Sequence, residues 1–274
     1  MDLPPGKSDA TAENIARAAV AKASTIALDR FQAIEAGKPI DREVKGRGNF
    51  LTETDLACEE AVLAVLADEY PDLPVLSEET AAEVDEWDRG WLWVLDPIDG
   101  TSNFARGNPA FCVNLALCFD GEPMLALTHQ PVTGTEFFAA QGQGLTVNGV
   151  PTGVGPAEKL ADAQMGFGLG YKYDRAKLML QLLTDLWPDV QMLQNIGSAA
   201  LGLAFAASGR FDIYAHSYLF PWDMAAGICL IREGGGLVLD RSGGPASIYG
   251  EGLVGGCPGP VREFVELTCD RQWR

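Results

Sequence analysis

The sequence predicts a mixed α/β fold, and three kinds of pattern support this prediction. Apolar residues recur at helical spacing near the beginning of the chain, over Ile15–Arg30. A compact apolar run, Trp91–Leu95, is typical of a buried strand. Turn dipeptides such as Asp120-Gly121 and Asn148-Gly149 divide the middle of the chain into short strands. We therefore expect one α/β domain over residues 1–274.

Boundary signals delimit the first elements. The first helix is expected to end at Gly37-Lys38-Pro39, because proline lacks the N–H group that would continue the helix. A second helix is expected to begin in Thr52–Asp55, which has the pattern of a capping box, and to continue to about Tyr70. The segment Lys45–Asn49 is expected to form a loop between them, and Val75-Leu76 a short strand after them.

The remaining elements follow from the same periodicities. Strands are predicted at Trp91–Leu95, Cys112–Phe119, Met124–Gln130, Thr135–Ala140 and Phe211–Tyr214, and near Leu237 and Leu253. Helices are predicted at Arg175–Leu186, Ala199–Ala207 and Met224–Glu233, and after Pro260. Helical and strand-like segments thus alternate in the second half of the chain.

Net charge restricts the partners that the chain can be expected to bind. The sequence has 20 Lys and Arg residues against 38 Asp and Glu residues, which gives a net charge of −18. Such a charge repels nucleic acids and anionic membranes, so we expect neither as a partner. It also repels a small phosphorylated metabolite, unless bound cations reverse the sign of the charge locally.

The termini and cysteines indicate the compartment. Residues 1–10 lack the pattern of a signal peptide, in which basic residues precede an apolar run. No apolar run approaches the roughly 18 residues that a membrane span requires. The six cysteines form no CxxC pair, so we expect free thiols. These features predict a cytoplasmic protein.

Several acids follow predicted strands directly. Glu78 and Glu79 come after the Val75-Leu76 strand, and Asp96 comes after Trp91–Leu95. Because a strand end is a rigid position, acids placed there can converge on one crevice. We expect most of the other acids between Glu53 and Asp88 to form a solvated surface.

The segment Asp96–Phe104 carries most of the chemical information. Asp96 and Asp99 flank a rigid proline and can point in the same direction. Close carboxylates repel each other, and hard oxygen ligands suit Mg²⁺. The backbone N–H groups that follow, from Gly100 onward, can hold a phosphate. Metal-binding carboxylates beside phosphate-binding amides predict a site of phosphoryl transfer. A further acid, Asp223, begins a small-residue helix, where the helix dipole alone would also favour it.

Taken together, four motifs resemble those of the inositol monophosphatase family, whose members are Mg²⁺-dependent, lithium-sensitive phosphatases. The motifs are Thr52–Asp55, Ser77–Glu79, Asp96–Thr101 and Pro221–Gly227, and the resemblance extends to Gly142–Gly149 and Ile196–Ala200. The resemblance implies a layered α/β/α/β/α sandwich of the sugar-phosphatase type, usually a homodimer. It further implies two packed lobes, with metal and phosphate bound by residues 1–155 and the rest of the substrate by residues 156–274.

The same resemblance implies residue roles. The metal ligands for two or three Mg²⁺ ions would be Glu78, Asp96, the carbonyl of Ile98, Asp99 and Asp223. Thr101 and Glu78 would orient and activate the attacking water, and Asp55 would support them or hold a further cation. The phosphate and the alcohol part of the substrate would contact Gly100, Thr101, Ser102, Gly197, Ser198, Ala199, His216 and Asp223.

One position departs from the family pattern and leaves the substrate open. His216 stands seven residues before Asp223, where inositol monophosphatases usually have a glutamate. A histidine can be a hydrogen-bond donor or a cation, which a carboxylate cannot. The alternative is that His216 only packs between Tyr214 and Tyr218. Lys172 and Arg175 are interpreted either as solvated surface cations or as ligands of a second anionic group.

These observations lead to one main functional prediction. We expect a Mg²⁺-dependent phosphomonoesterase that hydrolyses a small polyol or sugar phosphate through metal-activated water. The alternatives within catalysis are fructose-1,6-bisphosphatase, 3′(2′),5′-bisphosphate nucleotidase and histidinol-phosphatase activity, of which the last is disfavoured because a cationic amine would favour an acid at position 216. Outside catalysis, bacterial members of the family can be regulatory binding proteins associated with the transcription machinery.

Overall fold

A computed structural model describes residues 2–40, 42–46, 49–81, 89–271 and 273. The helices of these residues are α1 (Ala12–Glu35), α2 (Glu53–Glu69), α3 (Thr101–Phe104), α4 (Tyr173–Leu186), α5 (Ala199–Ala207), α6 (Pro221–Glu233) and α7 (Pro258–Leu267). The strands are β1 (Arg42–Gly46), β2 (Asn49–Thr52), β3 (Val75–Ser77), β4 (Trp91–Asp99), β5 (Cys112–Phe119), β6 (Glu122–Gln130), β7 (Thr135–Ala140), β8 (Gly144–Val147), β9 (Val150–Thr152), β10 (Gln164–Gly168), β11 (Met192–Gln194), β12 (Ile213–His216), β13 (Leu237–Asp240) and β14 (Leu253–Gly256).

Two capped helices form the first layer. The side chain of Thr11 accepts a hydrogen bond from the Asn14 amide at the start of α1, and Thr52 and Asp55 form the predicted capping box of α2. Both helices bury apolar side chains against one face of a seven-stranded sheet, where Phe31 and Leu66 share a core with Trp93. Burial of this apolar stripe stabilises the pair on the sheet.

The seven-stranded sheet runs in the order β3-β4-β5-β6-β7-β8-β9. Only its first pair, β3 and β4, is parallel, and the other pairs are antiparallel. The pairing of β4 with β5 shifts register between Asp96, which faces Asn114, and Asp99, which faces Cys112. Pro97 lies within this bulge, where the N–H group that it lacks is not required by the ladder. The bulge sets the position of the two acids.

Helices α5 and α6 lie between the two sheets and share one apolar core with both. Seven of the nine residues of α5 are buried, and most of them are small. A Cβ atom at Gly202 would come within 2.2 Å of the Tyr214 ring, and one at Gly227 within 2.5 Å of Leu203. The two glycines therefore permit close packing of α5 on β12 and of α6 on α5, which larger side chains would block.

The second sheet has the strand order β11-β10-β12-β14-β13. Its outer face packs against α4 and α7, which contribute Met179, Leu183 and Phe264 to a third core. The order of layers is thus helix pair, sheet, helix pair, sheet, helix pair. This arrangement confirms the predicted fold class and the α/β/α/β/α sandwich, while the division into two lobes at about residue 155 stays a prediction.

A few expectations were wrong in detail. The predicted loop at Lys45–Asn49 instead contains the ends of β1 and β2, which pair as an antiparallel hairpin, and its residues 47 and 48 lie outside the described part of the chain. The strand predicted at Phe211–Tyr214 begins two residues later, at Ile213. All six cysteines are free thiols, as expected. Among the helices described, none combines the length and apolar character that crossing a membrane would require.

Candidate active site

The β4 bulge brings Asp96 and Asp99 to one end of the strand. Asp96 is 1% exposed and Asp99 is 7% exposed. The Ile98 amide donates to Oδ1 of Asp96 over 3.1 Å, so the backbone between the acids fixes the first carboxylate. Rigid Pro97 and this hydrogen bond together restrict the conformations of the turn.

The third acid comes from the first turn of α6. Oδ2 of Asp223 accepts the Phe220 amide over 2.7 Å, which holds the side chain at the helix N-terminus. One carboxylate oxygen from each of Asp96, Asp99 and Asp223 lies within 4.8 Å of the others. Folding therefore joins two segments more than 120 residues apart into one acidic cluster, which we call the carboxylate cluster (Asp96, Asp99 and Asp223).

Burial and mutual repulsion make ionisation of this cluster unfavourable. Burial, followed by the charges of Glu78 and Asp99, raises the pKa of Asp96 well above its usual value. Burial and then the charge of Asp99 similarly raise the pKa of Asp223. Glu78 is outside the cluster, but its amide donates to the Leu95 carbonyl over 3.2 Å and places it beside β4. A divalent cation would remove the repulsion that these shifts reflect.

Residues at the start of α5 hold the Asp99 carboxylate in place. The Ser198 hydroxyl and the Ala200 amide both donate to its Oδ2, the amide over 2.8 Å. Burial raises the pKa of Asp99, and these hydrogen bonds oppose the rise. Ser198 also caps α5 by accepting the Leu201 amide. Sequence reasoning missed this support of Asp99, although a serine before a small-residue helix is the usual signal of an N-cap.

A hydrogen bond between two buried side chains, Asp55 and Thr101, connects α2 to the site. The Thr101 hydroxyl lies 3.1 Å from Oδ1 of Asp55 and 3.0 Å from the Ile98 carbonyl oxygen. The other oxygen of Asp55 accepts the Thr52 amide in the capping box. Burial raises the pKa of Asp55. Asp55 therefore caps its helix and also contacts Thr101, while its expected part in catalysis stays a prediction.

A left-handed glycine leads from the bulge into α3. Gly100 has φ = 96°, and a Cβ atom there would lie 2.9 Å from the Ala110 carbonyl oxygen. No other residue fits this position without strain. The amides of Thr101 and Ser102 are the first of the following turn, where no earlier helical carbonyl is available to them.

A cleft of about 260 Å³ adjoins the carboxylate cluster. Besides His216, its lining includes seven of the predicted site residues: Asp99, Gly100, Ser102, Gly197, Ser198, Ala199 and Asp223. The opposite wall contains His216 together with residues that sequence reasoning did not place there: Gly168, Leu169, Gly170, Tyr171, Asn195, Tyr214, Tyr218, Leu219 and Phe220. Most of them come from loops, which carry no periodic signal, whereas Gly168 ends β10 and Tyr214 lies in β12.

His216 is a neutral side chain in this wall. It is 5% exposed, and burial lowers its pKa to about 3. Its Nδ1 accepts the Tyr218 amide over 3.3 Å. The proton of the neutral ring is therefore on Nε2, which can donate a hydrogen bond. The expectation that this histidine could be a cation is wrong at neutral pH.

The two cations near the cleft have different surroundings. The ammonium group of Lys172 lies 3.8 Å from the centroid of the Tyr218 ring, in a cation–π contact. Arg175 instead donates to the Glu251 carboxylate over 3.1 Å. Lys172 is thus the one of the pair that contacts a residue of the cleft wall.

Comparison with known proteins identifies the family. A profile of the inositol monophosphatase family matches residues 9–269. This chain belongs to the inositol monophosphatase family. It is 34% identical to an inositol monophosphatase of Dictyostelium discoideum over 84% of this chain and 86% of that one. It is 32% identical to the Nus factor SuhB of Pasteurella multocida, over 92% and 93% of the two chains.

Solved structures show the same similarity. The extragenic suppressor protein suhB of Bartonella henselae matches with a TM-score of 0.85 and 27% identity, covering 93% of this chain and 96% of that chain. A Thermotoga maritima IMPase matches with a TM-score of 0.82 and 26% identity, covering 94% and 96%. The family assignment and the layered fold therefore agree.

Proposed function

We propose that this protein is a Mg²⁺-dependent phosphomonoesterase that hydrolyses a small polyol or sugar phosphate of the inositol monophosphate type. The observation that carries the proposal is the carboxylate cluster beside the cleft, in which Asp96 and Asp99 are buried and Asp223 is half-buried. Its donors are hard oxygens, which suit Mg²⁺ better than softer transition metals. Burial and then the neighbouring acids raise the pKa values of Asp96 and Asp223, and bound divalent cations would offset both effects.

The proposal assigns the cations to five ligands. Asp96, Asp99 and Asp223 would bind them together with Glu78 and the Ile98 carbonyl, two or three ions to the site. Bound there, Mg²⁺ would lower the pKa of water and neutralise charge that develops on the phosphoryl and leaving oxygens. Ser198 and the Ala200 amide keep Asp99 in place through hydrogen bonds to its Oδ2.

Thr101 and Glu78 would orient the attacking water. The single hydroxyl proton of Thr101 is directed to Asp55 or to the Ile98 carbonyl, so a lone pair of its oxygen remains to accept a hydrogen bond from water. The Glu78 carboxylate would accept the proton that the water loses. Asp55 acts as a positioning residue, because it sets the direction of the Thr101 hydroxyl.

The cleft walls would bind the two ends of the substrate. The amides of Gly100, Thr101 and Ser102 would hold the phosphate at the start of α3. The alcohol part would lie against Gly197, Ala199 and the Nε2–H group of His216. Because this wall offers a neutral donor rather than a carboxylate, hydroxyl recognition would depend on oxygens of the substrate that accept hydrogen bonds.

Phosphate release from a panel of esters tests the proposal. The panel would contain inositol 1-phosphate, fructose 1,6-bisphosphate, a 3′-phosphonucleotide and histidinol phosphate, each with Mg²⁺, with Mg²⁺ plus lithium, and with a chelator. We expect Mg²⁺-dependent, lithium-inhibited release from at least one polyol or sugar phosphate. Release that is confined to the nucleotide would favour the bisphosphate nucleotidase alternative, and no release from any ester would contradict the proposal.

A second candidate function is regulatory binding. Relatives that are 32% identical over nearly the whole chain are named Nus factors, so association with the transcription machinery is a candidate here as well. Binding of the purified protein to RNA polymerase from its own source tests this candidate. Asp96→Asn separates the two functions, because it should abolish hydrolysis and leave protein binding unchanged. The expected absence of a nucleic-acid partner stays a prediction.

A further inference from the structure

A row of three polar side chains crosses the seven-stranded sheet. Asp96 on β4 pairs with Asn114 on β5, and Asn114 pairs with Thr128 on β6. Because directly paired residues of antiparallel strands project from the same face of a sheet, the three side chains stand side by side. Each of them is at most 1% exposed. The row is therefore a buried polar line that begins at a member of the carboxylate cluster.

The next row along the same face is apolar. Val94, Ala116 and Ala126 occupy the equivalent positions on the three strands, and all three belong to the core that α5 and α6 share. A polar side chain in such surroundings is costly unless its hydrogen bonds are satisfied. Apolar residues at positions 114 and 128 would avoid this cost, so the polar pair indicates a role other than packing.

Asn114 uses both ends of its side-chain amide. Its Nδ2 group donates to the Trp222 carbonyl over 2.8 Å, and its Oδ1 accepts the Thr128 hydroxyl over 2.6 Å. Because a carbonyl oxygen can only accept, the Nδ2 group is the end that faces α6. The Thr128 hydroxyl donates to the other end and so fixes the rotation of the amide. We call this chain of hydrogen bonds the amide bridge (Thr128, Asn114 and the Trp222 carbonyl).

The amide bridge ends on the peptide group that joins Trp222 to Asp223. Asp223 is the acid of the carboxylate cluster that lies outside β4, so its distance from Asp96 and Asp99 depends on how α6 packs on the sheet. Ionised carboxylates this close together repel each other, which favours movement of the helix start away from β4. The bridge opposes this movement, because it ties the backbone beside Asp223 to the strand that pairs with Asp96.

We infer that Asn114 and Thr128 are positioning residues of the proposed cation site. They hold the start of α6 so that the Asp223 carboxylate stays beside those of Asp96 and Asp99. The inference rests on the proposed function, because it takes these acids to be cation ligands. A site whose ligands are already in place loses less free energy to ordering when it binds. Loss of the bridge should therefore weaken the binding of Mg²⁺.

Binding of Mg²⁺ alone, measured by isothermal titration calorimetry on the full chain, tests the inference without a substrate. Thr128→Val keeps the shape of the side chain and removes the hydroxyl that orients Asn114, so the dissociation constant for Mg²⁺ should rise about threefold. Asn114→Leu removes both hydrogen bonds and should raise the constant at least about tenfold, as is typical when residues that orient metal ligands are changed. Thr128→Ser restores the hydroxyl and should bind Mg²⁺ within about twofold of the unmodified protein.

Thr268→Val is the matched control. Thr268 is also a fully buried threonine, and its hydroxyl donates to the Phe264 carbonyl in α7, in an outer layer of the fold. This control should lose stability, as Thr128→Val does, but should keep its affinity for Mg²⁺. Thermal melts without Mg²⁺ measure the stability of each variant, and circular dichroism checks that it is folded.

The outcomes separate this inference from the proposed function. Folded Asn114→Leu and Thr128→Val variants that bind Mg²⁺ as tightly as the Thr268→Val control would overturn the role of the amide bridge and leave the proposed function intact. The Val and Ser variants of Thr128 decide the question even if Asn114→Leu does not fold. Failure of the unmodified protein to bind Mg²⁺ would contradict the proposed function and the inference together.

Discussion

The two sides of the cleft differ in charge and in how the chain builds them. The carboxylate side consists of two buried acids from a strand bulge and a half-buried one from a helix start, and each acid accepts a hydrogen bond from a backbone amide. The alcohol side consists of the ends of β10 and β12 and of loop residues, with several aromatic rings around a neutral histidine. One side supplies fixed negative charge that cations would compensate, and the other supplies shape and a few weak donors. The rate of hydrolysis should therefore depend mainly on the carboxylate side, and the preference among substrates mainly on the alcohol side.

The largest expected effect comes from neutralising an acid of the carboxylate side. Asp96→Asn should lower kcat/KM for phosphate release at least about 1,000-fold, because it removes a ligand of the proposed cations. In chelator-treated protein the same change should raise the melting temperature, because it removes a buried charge that other acids repel. Enzyme assays and thermal melts with and without Mg²⁺ measure both effects.

Glu60→Gln provides the control for this variant, since it neutralises an exposed acid of α2. Neither its activity nor its melting temperature should change appreciably. An Asp96→Asn variant that retains full activity would show that the ligand assignment is wrong.

A smaller loss is expected at Thr101, on the same side. Thr101→Val removes the hydroxyl that bridges Asp55 and the Ile98 carbonyl and should lower kcat about 100-fold, a typical value for proton-transfer catalysis. Thr101→Ser should recover most of the rate, because it restores the hydroxyl. Stabilisation by Mg²⁺ should persist in both variants, since neither removes a carboxylate. Equal activity of the Val and Ser variants would remove the hydroxyl from the mechanism.

The contrast between the two sides also explains what the sequence could predict. Asp96 and Asp99 are separated by a proline and follow an apolar run, so local patterns were enough to place them on one turn. The support that Ser198 gives to Asp99 depends on packing between segments 99 residues apart, and no local pattern encodes it. Similarly, Tyr171 and Tyr218 come from separate loops, and only the fold places both in one wall.

On the alcohol side, substrate preference should change more than rate. His216→Glu replaces a neutral donor by an acceptor that repels anions, so the ratio of kcat/KM for inositol 1-phosphate to that for fructose 1,6-bisphosphate should rise about tenfold. His216→Gln keeps the side chain neutral, and the ratio should stay within about threefold of the original. Steady-state kinetics with both esters measures the ratio. An unchanged ratio in His216→Glu would show that residue 216 does not contact the substrate.

The smallest effect expected is on stability against acid. Burial lowers the pKa of His216 from 6.5 to about 3, so between these values the unfolded chain binds a proton that the folded chain does not. The contribution of this residue to the free energy of unfolding is complete above pH 6.5 and falls as the pH is lowered, by at most about 1.4 kcal/mol per pH unit. His216→Gln removes this proton, so denaturant titrations from pH 7 to pH 4 should show a shallower loss of stability in the variant. Parallel curves for the two proteins would contradict burial of a neutral histidine. In that case His216 would have its ordinary pKa of 6.5, and the alcohol side would carry a cation only below about that pH.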